Sequence, residues 1–210
     1  MQKMTENTNP LQKYYRQPQI YVKLPSGGKW YGPEVFTPTE NGEIPILPMT
    51  AKDELAFKTP DALISGQATV DVIKSCVPNL KDPWQMVNFD TDTILLAIRI
   101  ASYGETMNID FTVPVTNEQD STTLNLPDML EDLGRAKISD SCKTKAGFVI
   151  KLAPLRYNQL TKIILAQYEQ QSIYASAVAS NVNEVTRSKT FSESFKKLNE
   201  LNFDMLINSV

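Results

Sequence analysis

Residues 90–115 read DTDTILLAIRIASYGETMNIDFTVPV, and within them the apolar period changes from that of a helix to that of a strand. Ile94, Leu95, Ile98 and Ala101 recur at spacings of three and four, the stripe of an amphipathic helix. Asp90 is the expected cap of that helix and Gly104 its expected stop. From Met107 onward apolar and polar residues alternate, as on a half-buried strand. One segment of each kind, side by side, argues for the α+β class.

Towards the C-terminus, STTLNL (121–126) and GFVIKLAP (147–154) are the other candidate strands of a small antiparallel sheet. A polar turn at Thr116–Asp120 follows the first strand, and a short helix is expected around Leu126–Leu133. After Pro154, Leu160, Ile163, Ile164 and Tyr168 mark a helix reaching about Ala179. A polar linker, SNVNEVTRSK (180–189), then leads to a second helix with Thr190 and Glu193 as its capping box. Its stripe is Phe191, Phe195, Leu198, Leu201 and Met205, so the last quarter reads as a helical hairpin.

Towards the N-terminus, Val70, Ile73 and Val77 form a helical face ended by Pro78. Thr59-Pro60 opens a shorter helix that Gly66 can close, and Thr50 with Asp53 resembles a capping box. In IYVKLPSGGKWY (20–31), Ile20, Val22 and Leu24 share one face, and Ser26-Gly27-Gly28 suits a tight hairpin turn. Residues 1–19 are polar and contain Pro10 and Pro18, the composition of an extended arm. The expected division is therefore an arm over 1–19, an α+β core over 20–153 and a helical hairpin over 154–210.

Composition narrows the function. The 210 residues carry a net charge of −3, which disfavours broad contact with nucleic acid. No apolar stretch approaches the length of a membrane span, and the first fifteen residues lack the apolar centre of a signal peptide. Two cysteines, without metal-ligand spacing, fit a reducing cytoplasm. There is no histidine, which removes the commonest general base and the commonest zinc ligand.

The remaining chemical motifs have simpler readings. Leu24–Lys29 is followed by Trp30-Tyr31 and a proline-rich loop, so no helix start is placed to cradle phosphate. Asp90-Thr-Asp92 resembles a divalent-metal clamp, yet it lies where acids cap a helix. Cys76 reads as a core residue, Cys142 as a surface one, and Arg99 as a structural cation. No catalytic constellation emerges, and neither cofactor nor metal is expected. The residue types that do stand out are those of interfaces: Tyr14, Tyr15 and Arg16 in the arm, with Tyr21 and Trp30 after it.

IYVKLPSGGKWY (20–31), PMTAKDELAFKTPDALISGQATVDVIKSCVPNLKDPW (48–84) and FDTDTILLAIRIASYGE (89–105) resemble the baseplate and hub protein family of T-even-type contractile-tailed bacteriophages. APLRYNQLTKIILAQYEQQ (153–171) extends the resemblance towards the end. It implies a tail component, located in the virion baseplate and in the host cytoplasm during assembly, that binds other tail proteins, with self-association in a symmetric assembly as a further option. It implies no reaction, and no nucleic-acid or membrane partner. A tail-assembly chaperone that leaves before the virion is finished is the alternative. An enzyme using paired carboxylates, as in peptidoglycan cleavage, is the third reading. Members of this family often carry a zinc-binding Cys-Pro-x-Cys knuckle where this chain reads Val113-Pro114-Val115. Some also run on past the position of Val210, so this chain is expected to be a short form or a truncated one.

Overall fold

The computed structural model describes residues 15–114, 116–136, 138–179 and 184–208. It is α+β, with seven helices and three two-stranded antiparallel sheets among those residues. The core is built first from β1 (Ile20–Lys23) and β2 (Glu43–Ile46), then from α1 (Ala51–Phe57), α2 (Pro60–Ile64) and α3 (Gln67–Cys76). A 3-10 turn at Pro83–Gln85 leads into α4 (Asn88–Tyr103).

Val22, Ile44 and Ile46 come from the first sheet, Leu24 from just after β1, and Val72, Ile73 and Cys76 from α3. They close on Met86, Ile94, Ala97 and Ile98 from the turn and α4. Complete burial of one such aliphatic side chain contributes roughly 1.5–3 kcal/mol, so this cluster is the main source of stability.

Local signals set the boundaries. Thr50 and Asp53 form a reciprocal capping box at the start of α1. Gly66 has φ +76 and precedes α3, and a Cβ there would lie 2.9 Å from Thr161 of the C-terminal hairpin. It therefore serves both the left-handed backbone and a close approach.

Four expectations need correction. Gly27 and Gly28 do take positive φ, +61 and +79, but Lys29–Tyr31 does not return as a partner strand. β1 instead pairs with Glu43–Ile46, in the register Ile20 to Ile46 and Lys23 to Glu43. Asp90 is not the cap of α4. The N-cap position falls three residues earlier, at Val87, the helix begins at Asn88, and Asp90 lies buried in its first turn.

The small sheet is not one sheet. β3 (Thr106–Thr112) pairs with β4 (Gln119–Asn125), and β5 (Ser141–Lys143) pairs with β6 (Val149–Lys151) as a separate hairpin. Between them runs α5 (Leu126–Arg135). Finally, α7 (Glu184–Asn208) starts six residues before Thr190, because nothing from Glu184 to Lys189 opposes a helix. The linker expected over 180–189 is thus partly helical, and residues 180–183 lie outside the described residues.

α6 (Tyr157–Ala179) is fastened to the core at its first turn. The Tyr157 amide donates to the Met86 carbonyl at 2.7 Å, and the Asn88 amide donates to the Leu155 carbonyl at 3.0 Å. The Arg156 guanidinium donates to the Gln85 carbonyl at 3.0 Å, and Trp84 packs on Tyr157 at 5.7 Å between centroids. α7 then runs along α6.

Candidate interaction surfaces

Arg16, near the start of the described residues, is held against the core. Its guanidinium donates to the Pro48 carbonyl at 2.8 Å, to the Ser75 carbonyl at 2.7 Å and to the Ser75 hydroxyl at 3.1 Å. Asp53 lies 3.6 Å from the same group. Asp53 also accepts from the Thr50 amide, the Thr50 hydroxyl and the Ser75 hydroxyl. Burial pushes this carboxyl up, but those donors and the Arg16 charge together hold it below the usual carboxylate range.

A carboxyl with a depressed folded-state pKa contributes stability that is complete above about pH 4 and lost as pH falls through the folded value. Asp53→Asn should therefore cost roughly 1–3 kcal/mol at neutral pH, and the difference from wild type should shrink below about pH 4. Urea unfolding of both proteins across that range checks it, and a gap independent of pH would contradict the charge argument.

A second buried carboxylate organises the loop after β1. Asp90 is wholly buried and accepts from the Ser26 amide at 3.0 Å and from the Tyr31 hydroxyl at 2.6 Å. The Tyr31 oxygen in turn accepts from the Val87 amide at 3.0 Å. Burial pushes Asp90 above the usual carboxylate range despite these donors. It also pushes the Tyr31 phenol far up, with the Asp90 charge adding to the effect. Asp92, two residues along the helix, is exposed, so the two carboxylates do not converge.

Cys76 is buried and its thiol is pushed up to about 11, first by burial and then by the Asp53 charge. A thiol so far from ionisation is a poor nucleophile. Cys142 is exposed on β5. Arg99 stacks over the Tyr103 ring at 4.6 Å. Among the described residues, no group of three or more acidic or cysteine side chains is placed to hold a metal. Val113 offers zinc no donor, so a zinc knuckle of the kind the resemblance implies does not fit here. The hairpin is held by its ladder and by half-buried Met107 and Leu124.

Of the residues singled out for binding, Tyr14 lies outside the described residues, and Tyr15 is exposed. Tyr21 is exposed on β1, beside an open groove of about 610 Å³ lined also by Pro127 and Leu130. Trp30 meets Phe89 edge-on at 5.9 Å and keeps part of its surface in solvent. Arg16, Tyr21 and Trp30 thus belong to three separate places.

The larger apolar surfaces lie on the three hairpins. β3–β4 exposes Ile109 and Phe111, and β5–β6 exposes Phe148 and Val149. α6–α7 exposes Ile164, Tyr168, Phe195, Phe203 and Ile207, while Gln170 and Ser194 are buried. Apolar groups left outward on several protrusions at once are characteristic of surfaces that meet other proteins.

The family described as T4 bacteriophage base plate protein matches residues 17–210. The chain belongs to that family. It is therefore a structural protein of the phage baseplate, located in the virion tail among other tail proteins, and its family points away from catalysis. No curated protein and no solved structure matches it. Among the described residues, no helix of this baseplate protein is long and apolar enough to cross a membrane.

Proposed function

We propose that this baseplate protein is a hub-type subunit retained in the finished tail, working wholly through contacts with neighbouring tail proteins. The observation that supports this is the outward apolar surface of all three hairpins around one packed core. In this reading residues 1–19 act as a clasping arm, 20–153 as the core with its two β-hairpins, and 154–210 as a helical grip. Tyr14, Tyr15, Tyr21 and Trp30 meet partners. Arg16 works one step behind them, fastening the root of the arm to Pro48, Ser75 and Asp53.

Quantitative mass spectrometry of purified tails tests the proposal. A hub subunit should remain at a fixed ratio to the other baseplate proteins through successive purification steps. An assembly chaperone, whose partner-binding surfaces would be apolar in the same way, should be present in infected-cell lysate and absent from those tails.

A further inference from the structure

The two β-hairpins carry opposite charge. Residues 105–125 contain Glu105, Asp110, Glu118 and Asp120 and no lysine or arginine, whereas residues 141–151 contain Lys143, Lys145 and Lys151 and no acid. Neither hairpin has a third strand, and an isolated pair of strands is marginally stable in water.

Register places the relevant side chains on definite faces. Phe111 pairs with Asp120, and Ile109 lies two residues from Phe111, so these three share one face of β3–β4. On β5–β6, Lys143 pairs with Val149 and Ser141 with Lys151, which puts both lysines and the valine together. That face borders a cavity of about 380 Å³ whose lining includes Trp30, Asp140, Val149, Lys151 and Leu152, the Asp140 carboxylate being already paired with Lys29. Val149 is 66% exposed there, beside Phe148 at 73%. Among the described residues, no ion pair engages Glu118, Asp120, Lys143 or Lys151.

We propose that the β3–β4 hairpin of one copy docks on the β5–β6 hairpin of a second copy, with Phe111 entering the cavity beside Trp30. Asp120 and Glu118 then face Lys143 and Lys151. An apolar centre with a rim of complementary charge is the usual anatomy of a specific interface. The occupant is a second copy because this chain supplies both halves of the match. Such a contact joins different patches, so copies exchange hairpins reciprocally or follow one another into a ring. This goes beyond the proposed hub role and does not depend on whether the chain stays in the virion.

The test is light scattering after size exclusion of the full chain. One variant combines Glu118→Lys with Asp120→Lys, and the other combines Lys143→Glu with Lys151→Glu. Wild type should form oligomers at low ionic strength and loosen at about 1 M salt, where the charges are screened. Each variant alone should dissociate at least about tenfold more readily, since like charges then oppose across the contact. Mixed in equal amounts, the two variants should associate again, because each offers the hairpin that the other lacks. That rescue also shows that both variants fold. A monomeric wild type, association indifferent to either reversal, or a mixture that stays monomeric overturns the proposal.

Discussion

Asp90→Ala should lower the stability of the chain by about 3 kcal/mol without changing its fold. The substitution leaves the Ser26 amide and the Tyr31 hydroxyl without their acceptor. Each buried donor stranded in this way costs about 1–3 kcal/mol. Against that, removing a carboxylate from a dry site recovers part of its desolvation penalty, so the sum stays below the simple total. In a chain of this size the loss corresponds to a fall in Tm of roughly 6–12 °C.

Tyr31→Phe is the companion test, because the same hydroxyl also accepts from the Val87 amide. The double variant should cost less than the two single ones added together, since they break one shared network. Burial raises the folded-state pKa of Asp90, so the folded protein keeps its proton to higher pH than the unfolded one. The penalty of Asp90→Ala should accordingly be largest near and below the ordinary carboxylate pKa of about 4, and shrink as pH rises through the folded value. Urea unfolding at several pH values reads both the size and the slope, and a penalty that grows with pH would contradict this assignment.

That network marks the boundary of what the sequence discloses. α3 and α4 were legible because their stripes are local: Ile73 and Ile94 recur with neighbours three and four positions away. The capping box of Thr50 and Asp53 was legible for the same reason, spanning only three residues. Asp90, by contrast, reads as a cap because acids favour helix starts, while its true partners lie 64 and 59 positions away. Arg16 beside Tyr14 and Tyr15 reads as an interface residue, and nothing near it in the chain signals Pro48 or Ser75. The partner of β1 was hidden by Pro45, which argues against a strand but is tolerated in a sheet of only two strands. The interaction surfaces were half legible. The alternation of Met107, Ile109 and Phe111 announces an amphipathic hairpin, but only the fold shows that its outer apolar end is left uncovered.

Phe195→Glu together with Phe203→Glu should abolish incorporation into tails while leaving the thermal stability of the free chain within about 0.5 kcal/mol. Both rings lie on α7 and are more than half exposed, Phe203 at 64%, and Phe195 stacks on Phe191 one turn away in the same helix at 6.2 Å, so the folded monomer gains little tertiary packing from them. The side chains that α6 and α7 enclose include Gln170 and Ser194. A hairpin that hides polar groups and leaves phenyl rings outside is poorly arranged for a protein that works alone. It suits one whose outer face is covered in the assembly. Each half-exposed ring offers on the order of 100 Å² of further burial. At about 25 cal/mol per Å², covering the pair contributes roughly 5 kcal/mol, and a buried glutamate without a partner reverses the sign. The expected result is a drop in occupancy of more than a hundredfold. Immunoblots of purified tails produced with each variant measure it, alongside melting curves of the isolated chains. Normal incorporation of the double variant would exclude this face of α7 from the interface, and a large loss of melting temperature would mean that the rings belong to the core after all.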